Sequence, residues 1–76
     1  MIKVYTTDSC PWCDKAKKFL QSQNLEYTEL NVQDDMEARD EMLKKSKQMG
    51  VPVLDINGTI IVGFDKPAID KALSNL

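Results

Sequence analysis

The chain has 76 residues, of which 42% are hydrophobic and 29% charged, and its formal net charge is −2 at pH 7. This length allows one small domain, residues 1–76, and this composition is typical of an ordinary folded protein rather than a disordered one. The net negative charge makes nucleic acid and anionic membranes poor candidates as partners. The sequence has no apolar run of roughly 20 residues and no signal-peptide pattern, so we expect a cytoplasmic protein.

The first half of the chain predicts a strand, a helix and a second strand. Residues 1–7 (MIKVYTT) alternate β-branched and polar side chains, which predicts a strand. From Pro11 to about Gln23, apolar side chains recur every three or four residues, as they do on the buried side of a helix. Residues 26–32 (EYTELNV) predict a second strand, which pairs in parallel with the first because a helix connects them.

The second half predicts a helix, a hairpin and a final helix. The second helix is expected over about residues 35–47, with Gly50 as its end signal. Two β-type segments follow on either side of Asn57-Gly58, a pair that readily adopts the positive φ of a hairpin turn. The last helix starts at Asp65. The side chains predicted to face inward from these two helices are Ala38, Met42 and Leu43, and Ile69, Ala72, Leu73 and Leu76. The order of elements predicts an α/β fold, with a four-stranded mixed sheet covered by helices on both faces.

Both cysteines of the chain, Cys10 and Cys13, lie in the run SCPWC, and the chain has no histidine. A disulfide across so short a loop contributes little stability through loop closure, which argues against a structural staple. Two thiolates alone do not complete a tetrahedral metal site, so a zinc or iron-sulfur module would need a dimer or outside thiols. The alternatives are therefore a redox-active pair, a dimeric metal or iron-sulfur binding module, and a binding module with idle cysteines.

The position of Cys10 favours the redox alternative. At the start of a helix its sulfur faces free backbone N–H groups and the positive end of the helix dipole, which lowers the pKa of a thiol from its ordinary value of about 8.5. Lys15 and Lys17 are close enough along the helix to lower this pKa further. Cys13 lies one turn deeper on the same side, where it can attack a mixed disulfide formed on Cys10.

Two further features of the sequence leave alternatives open. Trp12 is expected at the rim, either as a wall that guides an incoming disulfide or as part of the apolar face of the helix. Pro52 cannot donate to a central strand ladder. Its bond to Val51 is either cis, leaving the Val51 N–H and C=O free for an extended substrate, or trans at the start of an edge strand, which general frequencies favour.

Taken together, the runs VYTTDSCPWCDKAKKFL and GVPVLDINGTIIVGFD resemble the glutaredoxin family, over nearly the whole chain. The resemblance implies a thioredoxin-like fold, Cys10 as nucleophile, Cys13 as resolving thiol and a cis bond at Pro52. It implies no bound cofactor, glutathione as co-substrate, and glutathione binding beside Cys10. The residues expected to bind substrate or glutathione are Trp12, Val51, Pro52, Gly63, Phe64 and Asp65.

Two positions depart from the members of this family that use glutathione. Many of those carry a lysine three residues before the first cysteine, where this chain has Thr7. Many also have two glycines and two acidic residues before the last helix, where this chain has VGFDK at 62–66. The run GFDKP is instead similar to redoxins that take electrons from thioredoxin reductase and serve ribonucleotide reductase. The sequence therefore predicts a monomeric thiol-disulfide oxidoreductase that reduces protein or glutathione mixed disulfides, with glutathione or thioredoxin reductase as electron donor.

Overall fold

The computed structural model describes residues 2–75, and over this range the elements follow in the predicted order. The strands are β1 (Ile2–Thr6), β2 (Thr28–Asn31), β3 (Val53–Ile56) and β4 (Thr59–Val62). The helices are α1 (Pro11–Ser22), α2 (Met36–Ser46) and α3 (Lys66–Ser74). Within the described residues, none of these helices has the length and apolar content needed to cross a membrane.

The four strands form one mixed sheet in the order β2-β1-β3-β4. β1 and β2 are parallel, as predicted from the helix that connects them. β3 is antiparallel to both of its neighbours, β1 and β4. The predicted α/β fold with a four-stranded mixed sheet is confirmed.

Apolar side chains pack on both faces of this sheet because successive residues of a strand point to opposite sides. On one face, Val4 and Leu54 are fully buried in the cluster that contains residues of α1 and α3. On the other face, Tyr5 and Val53 are buried with residues of α2. The inward residues predicted for α2 and α3 are found buried (Ala38, Met42, Ile69, Ala72) or half-buried (Leu43, Leu73), and Leu76 lies outside the described residues.

The ends of α2 show which local signals the chain uses. Asp35 caps its start, because its carboxylate accepts hydrogen bonds from two backbone N–H groups of the first turn. The prediction of Gly50 as the end signal is wrong. The helix ends at Ser46 because Lys47 adopts the left-handed conformation at φ 60° and donates its N–H to the Leu43 carbonyl.

The hairpin forms where it was predicted, with φ of 51° at Asn57 and 98° at Gly58. β2 is shorter than the predicted 26–32, since only Thr28–Asn31 pairs with β1. As the edge strand of the sheet, β2 has β1 as its only neighbour in the described structure.

A polar network centred on Lys45 ties α2 to the sheet. The Lys45 ammonium donates to Asp55 at 2.6 Å and to the buried Tyr5 hydroxyl at 3.1 Å. It also donates to a Glu41 carboxylate oxygen at 2.9 Å, and Lys3 donates to the same oxygen at 3.1 Å. The hydrogen bonds from Lys45 and Lys3 lower the pKa of Glu41 to about 2, and the hydrogen bond to Asp55 is the main cause of a raised pKa at Lys45.

Glu41 is expected to stabilise the fold at neutral pH and to lose this effect in acid. Its pKa falls from 4.5 to about 2 on folding, so the stabilisation is complete above pH 4.5 and disappears as the pH falls towards 2. We expect Glu41→Gln to lower the free energy of unfolding by about 1 kcal/mol at pH 7, a modest value because its side chain is 37% exposed.

Urea unfolding of both proteins at a series of pH values between 7 and 2.5 measures this effect. The difference between them should shrink to less than half across the series. Glu26→Gln, at an exposed position, is the matched control and should differ little from the wild type throughout. A loss for Glu41→Gln that is the same at both ends of the series would contradict the assignment.

Candidate active site

The register of the sheet brings three separate segments to one edge. Tyr5, near the end of β1, lies opposite Val53 at the start of β3. Val53 in turn lies opposite Val62 at the end of β4. The cysteine loop after β1, Pro52 before β3 and residues 63–65 after β4 therefore all leave the sheet at the same edge.

The two cysteines form a disulfide at the start of α1, with their Cα atoms 5.2 Å apart. Cys10 is the N-cap, and its Sγ accepts a hydrogen bond from the Cys13 N–H at 3.1 Å. Cys13 is 1% exposed, whereas Cys10 is only partly buried. The predicted placement is confirmed, with Cys10 at the helix start and Cys13 one turn deeper, so the sulfur that a second disulfide can reach is that of Cys10.

The local sequence explains why α1 begins here. Pro11 occupies the first helical turn, where its missing N–H costs no helical hydrogen bond. The Asp14 N–H donates to the Cys10 carbonyl at 3.2 Å and closes the first turn. Burial of Ala16 and Leu20 on the same face as Cys13 holds the helix against the sheet and keeps the inner sulfur covered.

A groove of about 280 Å³ opens beside the cysteines. It is lined by residues from all three segments, namely Trp12, Val51, Pro52, Gly63 and Phe64. Trp12 is 55% exposed at its rim, and the Val51-Pro52 bond is cis, as the family resemblance implied. The Gly63 N–H donates to the Pro52 carbonyl at 2.7 Å. Within residues 2–75, the N–H and C=O of Val51 form no hydrogen bond.

Asp65 lies next to this groove rather than in its lining. It is the N-cap of α3, and its carboxylate accepts a hydrogen bond from the Ala68 N–H at 3.4 Å. Its own side chain therefore satisfies one of the free N–H groups at the start of α3, where the sequence predicts that Asp65 helps to bind substrate or glutathione. Among the residues that the structure describes, no group of three or more cysteines and carboxylates could hold a metal ion.

The two lysines expected to tune Cys10 differ in their contacts. The Lys15 ammonium lies 4.2 Å from the centre of the Trp12 ring. The Lys17 ammonium pairs with Asp14 at 3.4 Å and with Glu29 at 3.0 Å. The hydrogen bond with Glu29 is the main cause of a raised pKa at Lys17 and a lowered pKa at Glu29. Two carboxylates thus offset the charge of Lys17, and tuning of Cys10 by either lysine stays a prediction.

A second groove, of about 330 Å³, begins at Thr7, three residues before Cys10. Its lining is Thr7, Val32, Gln33, Arg39, Met42 and Met49. The Nε atom of Arg39 is buried, and within residues 2–75 it has no hydrogen-bond partner. The sequence alone does not single out Arg39, because its position beside Thr7 depends on how α2 crosses the sheet and no local pattern reveals that.

Comparison with known proteins agrees with this geometry, since the family model for glutaredoxin matches residues 2–61. The chain belongs to the glutaredoxin family. Over 73 residues it is 55% identical to an uncharacterized glutaredoxin-like 8.6 kDa protein in the rubredoxin operon of Clostridium pasteurianum, covering 96% of this chain and 97% of that one. It is also 34% identical over 64 residues to glutaredoxin 3 of Escherichia coli strain K12, covering 84% of this chain and 77% of that one.

Solved structures share the fold of this glutaredoxin. The thioredoxin-like protein BC3987 superimposes with a TM-score of 0.89 at 32% identity, over 95% of this chain and 99% of that one. The glutaredoxin-like protein NrdH-redoxin from Escherichia coli has a TM-score of 0.80 at 24% identity, over 92% of this chain and 91% of that one, a likeness of fold alone. Family membership and the Cys10–Cys13 disulfide identify a thiol-disulfide oxidoreductase with a thioredoxin-like fold. Its family generally has no prosthetic cofactor and works with redox partners such as glutathione or disulfide substrates.

In the reduced protein, Cys10 is expected to react with iodoacetamide well ahead of Cys13, because Cys13 is buried. The N–H that contacts the Cys10 sulfur also stabilises a thiolate there. The Cys10 rate should therefore fall by less than about tenfold between pH 8 and pH 6, whereas an ordinary thiol slows by about 75-fold.

Mass spectrometry of proteolytic peptides from timed samples measures both cysteines. The matched control is Cys10→Ser, in which the remaining Cys13 should stay largely unmodified over the same period. Rapid labelling of Cys13 in this variant would contradict its description as a shielded thiol.

Proposed function

We propose that this glutaredoxin is a dithiol reductase of protein disulfides and glutathione mixed disulfides, with Cys10 as nucleophile and Cys13 as resolving thiol. The observation that carries this assignment is the asymmetry of the pair. Cys10 is accessible at the helix start and receives a backbone hydrogen bond on its sulfur, whereas Cys13 is 1% exposed. An accessible thiolate can attack a partner, and a covered one can attack only a disulfide already formed on its neighbour.

The reaction balances as two exchanges between thiols and disulfides. The Cys10 thiolate attacks one sulfur of the substrate disulfide, which breaks the substrate S–S bond and releases the other sulfur as a thiolate that takes up a proton. Cys13 then loses its proton and attacks the Cys10 sulfur of the mixed disulfide. The second substrate thiolate leaves, the Cys10–Cys13 disulfide forms, and the substrate has gained two electrons.

We assign binding of the substrate chain to the groove beside the cysteines. Trp12 and Phe64 form its apolar walls, and their ring centres are 6.4 Å apart. The N–H and C=O of Val51 are suited to pair with the backbone of an extended substrate. Gly63 adds no side chain to the groove, and Pro52 is buried at its floor.

We propose glutathione as the electron donor, and the position of Arg39 supports this proposal. The chain has Thr7 where many glutathione users have a lysine, which removes one cation from the vicinity of Cys10. Arg39 lines the groove that begins at Thr7, and its buried Nε has no hydrogen-bond partner within residues 2–75. A guanidinium is well suited to bind a carboxylate of glutathione, so Arg39 supplies the cation that Thr7 lacks.

Thioredoxin reductase is the second candidate donor. The run at 62–66 departs from the usual glutathione-binding pattern, and Asp65 already satisfies an N–H group at the start of α3. NrdH-redoxin, which shares the fold, is described as having a thioredoxin-like activity profile. With this donor the protein would pass electrons to an enzyme such as ribonucleotide reductase.

We propose further that residues 1–76 act as one monomeric domain in the cytoplasm. The two apolar clusters share the same four-stranded sheet, which supports one domain. A reductase must have its dithiol restored by a reducing pool in each catalytic cycle, and the cytoplasm provides such a pool, which supports the location.

Removing the resolving thiol is expected to stop the reaction at the mixed disulfide. Cys13→Ser, incubated with glutathione disulfide, should accumulate one glutathione on Cys10, detected by intact-mass and peptide mass spectrometry. Cys10→Ser is the matched control and should acquire glutathione far more slowly. Comparable labelling of Cys13 in that control would contradict the assigned order of attack.

A coupled assay separates the two donors. A catalytic amount of the protein is mixed with NADPH, hydroxyethyl disulfide as the disulfide to be reduced, and either glutathione plus glutathione reductase or thioredoxin reductase, and NADPH consumption is followed. We expect turnover with glutathione, and Arg39→Gln should raise the glutathione concentration needed for half the maximal rate by about tenfold, the value for one lost charge-assisted hydrogen bond. Lys44→Gln, at an exposed position of α2, should leave it unchanged. If the protein turns over rapidly with thioredoxin reductase but not with glutathione, then thioredoxin reductase is the donor and the proposal of glutathione is wrong.

A further inference from the structure

We propose that three aromatic rings with a lysine at each end form a docking surface for acidic residues that flank the disulfide of a client protein. We call this surface the lysine-aromatic strip, and its residues are Lys15, Trp12, Phe64, Phe19 and Lys66. The proposal rests on the proposed function, because it concerns how clients of the same dithiol are selected.

Three residues of the strip lie on one face of α1. Trp12, Lys15 and Phe19 are separated by three and four positions, which places them in line along the helix. Phe64 packs between the two rings of α1, with ring centres 6.4 Å from Trp12 and 6.1 Å from Phe19. Trp12 is 55% exposed and the two phenylalanines are half-buried, so the rings form a continuous, partly open apolar surface.

The two lysines of the strip are held by the rings. The Lys15 ammonium is 4.2 Å from the centre of the Trp12 ring, and the Lys66 ammonium is 5.5 Å from the centre of the Phe19 ring. A cation-π contact orients an ammonium group without cancelling its charge. Within residues 2–75, neither ammonium forms an ion pair with a carboxylate, in contrast to Lys17 on the same helix.

These contacts favour an acidic partner over a basic one. The chain as a whole carries a net charge of −2, whereas the strip presents two ammonium groups that form no ion pair within residues 2–75. An acidic segment is repelled by the average charge of the protein and attracted at the strip, which orients its approach. A basic segment is attracted by the average charge of the protein and repelled at the strip.

The strip also has the right position and length for such a segment. It shares Trp12 and Phe64 with the groove beside the cysteines, so a client chain in the groove continues over the rings. At roughly 3.3 Å per residue, about four extended residues cover the three rings. The client segment that fits therefore has an apolar side chain over the rings and carboxylates towards Lys15 and Lys66.

The probes for this proposal are synthetic peptides with one internal disulfide and identical apolar residues, flanked by either two glutamates or two lysines. Stopped-flow mixing with the reduced protein gives the second-order rate constant for each. We expect the wild type to reduce the glutamate peptide at least about fivefold faster at low ionic strength, and the ratio to approach one in high salt because the attraction is screened. The double variant Lys15→Glu/Lys66→Glu should invert the ratio.

The ratio of the two rates is independent of any change that the variant makes in the reactivity of Cys10. Lys44→Glu/Lys47→Glu carries the same change in net charge at the end of α2 and should keep the wild-type ratio. Equal rates for the two peptides in the wild type, or an equal loss of preference in both double variants, would overturn the docking proposal. Failure of the wild type to reduce either peptide and the neutral hydroxyethyl disulfide would instead overturn the proposed function, and the docking proposal with it.

Discussion

The antiparallel pairing of β1 with β3 is the constraint on which the active site depends. Because Tyr5 lies opposite Val53, the cysteine loop that follows β1 and Pro52, which precedes β3, lie at the same edge of the sheet. The pairing of β3 with β4 adds residues 63–65 to the same edge. A shift of one residue in this register would turn each side chain of β1 to the opposite face and separate the two apolar clusters from their helices. The groove and the core are thus consequences of the same hydrogen-bond ladder.

Within that frame, the start of α1 makes two identical side chains chemically different. Cys10 stands at a helix end whose N–H groups lack helical partners, and one of them, from Cys13, contacts its sulfur. Cys13 belongs to the buried face of α1 and is covered by the core. The stability of the fold and the direction of thiol exchange therefore rest on the same helix, since the packing that stabilises α1 also shields the second sulfur.

Five basic side chains fall into two groups by their contacts. Lys45 and Lys17 are bound by carboxylates and connect helices to the sheet, which makes them part of the architecture. Lys15 and Lys66 contact rings, and Arg39 has a buried Nε without a partner among residues 2–75. In our proposals this second group selects partners, with Arg39 binding the small thiol donor on one side of the cysteines and the two lysines orienting a protein client on the other.

Features that depend on neighbouring residues could be predicted from the amino-acid sequence alone. Alternation in β1, the positive φ available at Asn57-Gly58, the cap at Asp65 and the cysteine spacing each act within one turn or one strand, so local patterns predicted them. Only the tertiary structure decided that Lys17 pairs with Glu29 and that Arg39 lies beside Thr7. It also decided which residues line each groove. These outcomes join residues far apart in the chain. No spacing in the sequence encodes them, because the partners meet only after the sheet has aligned its strands.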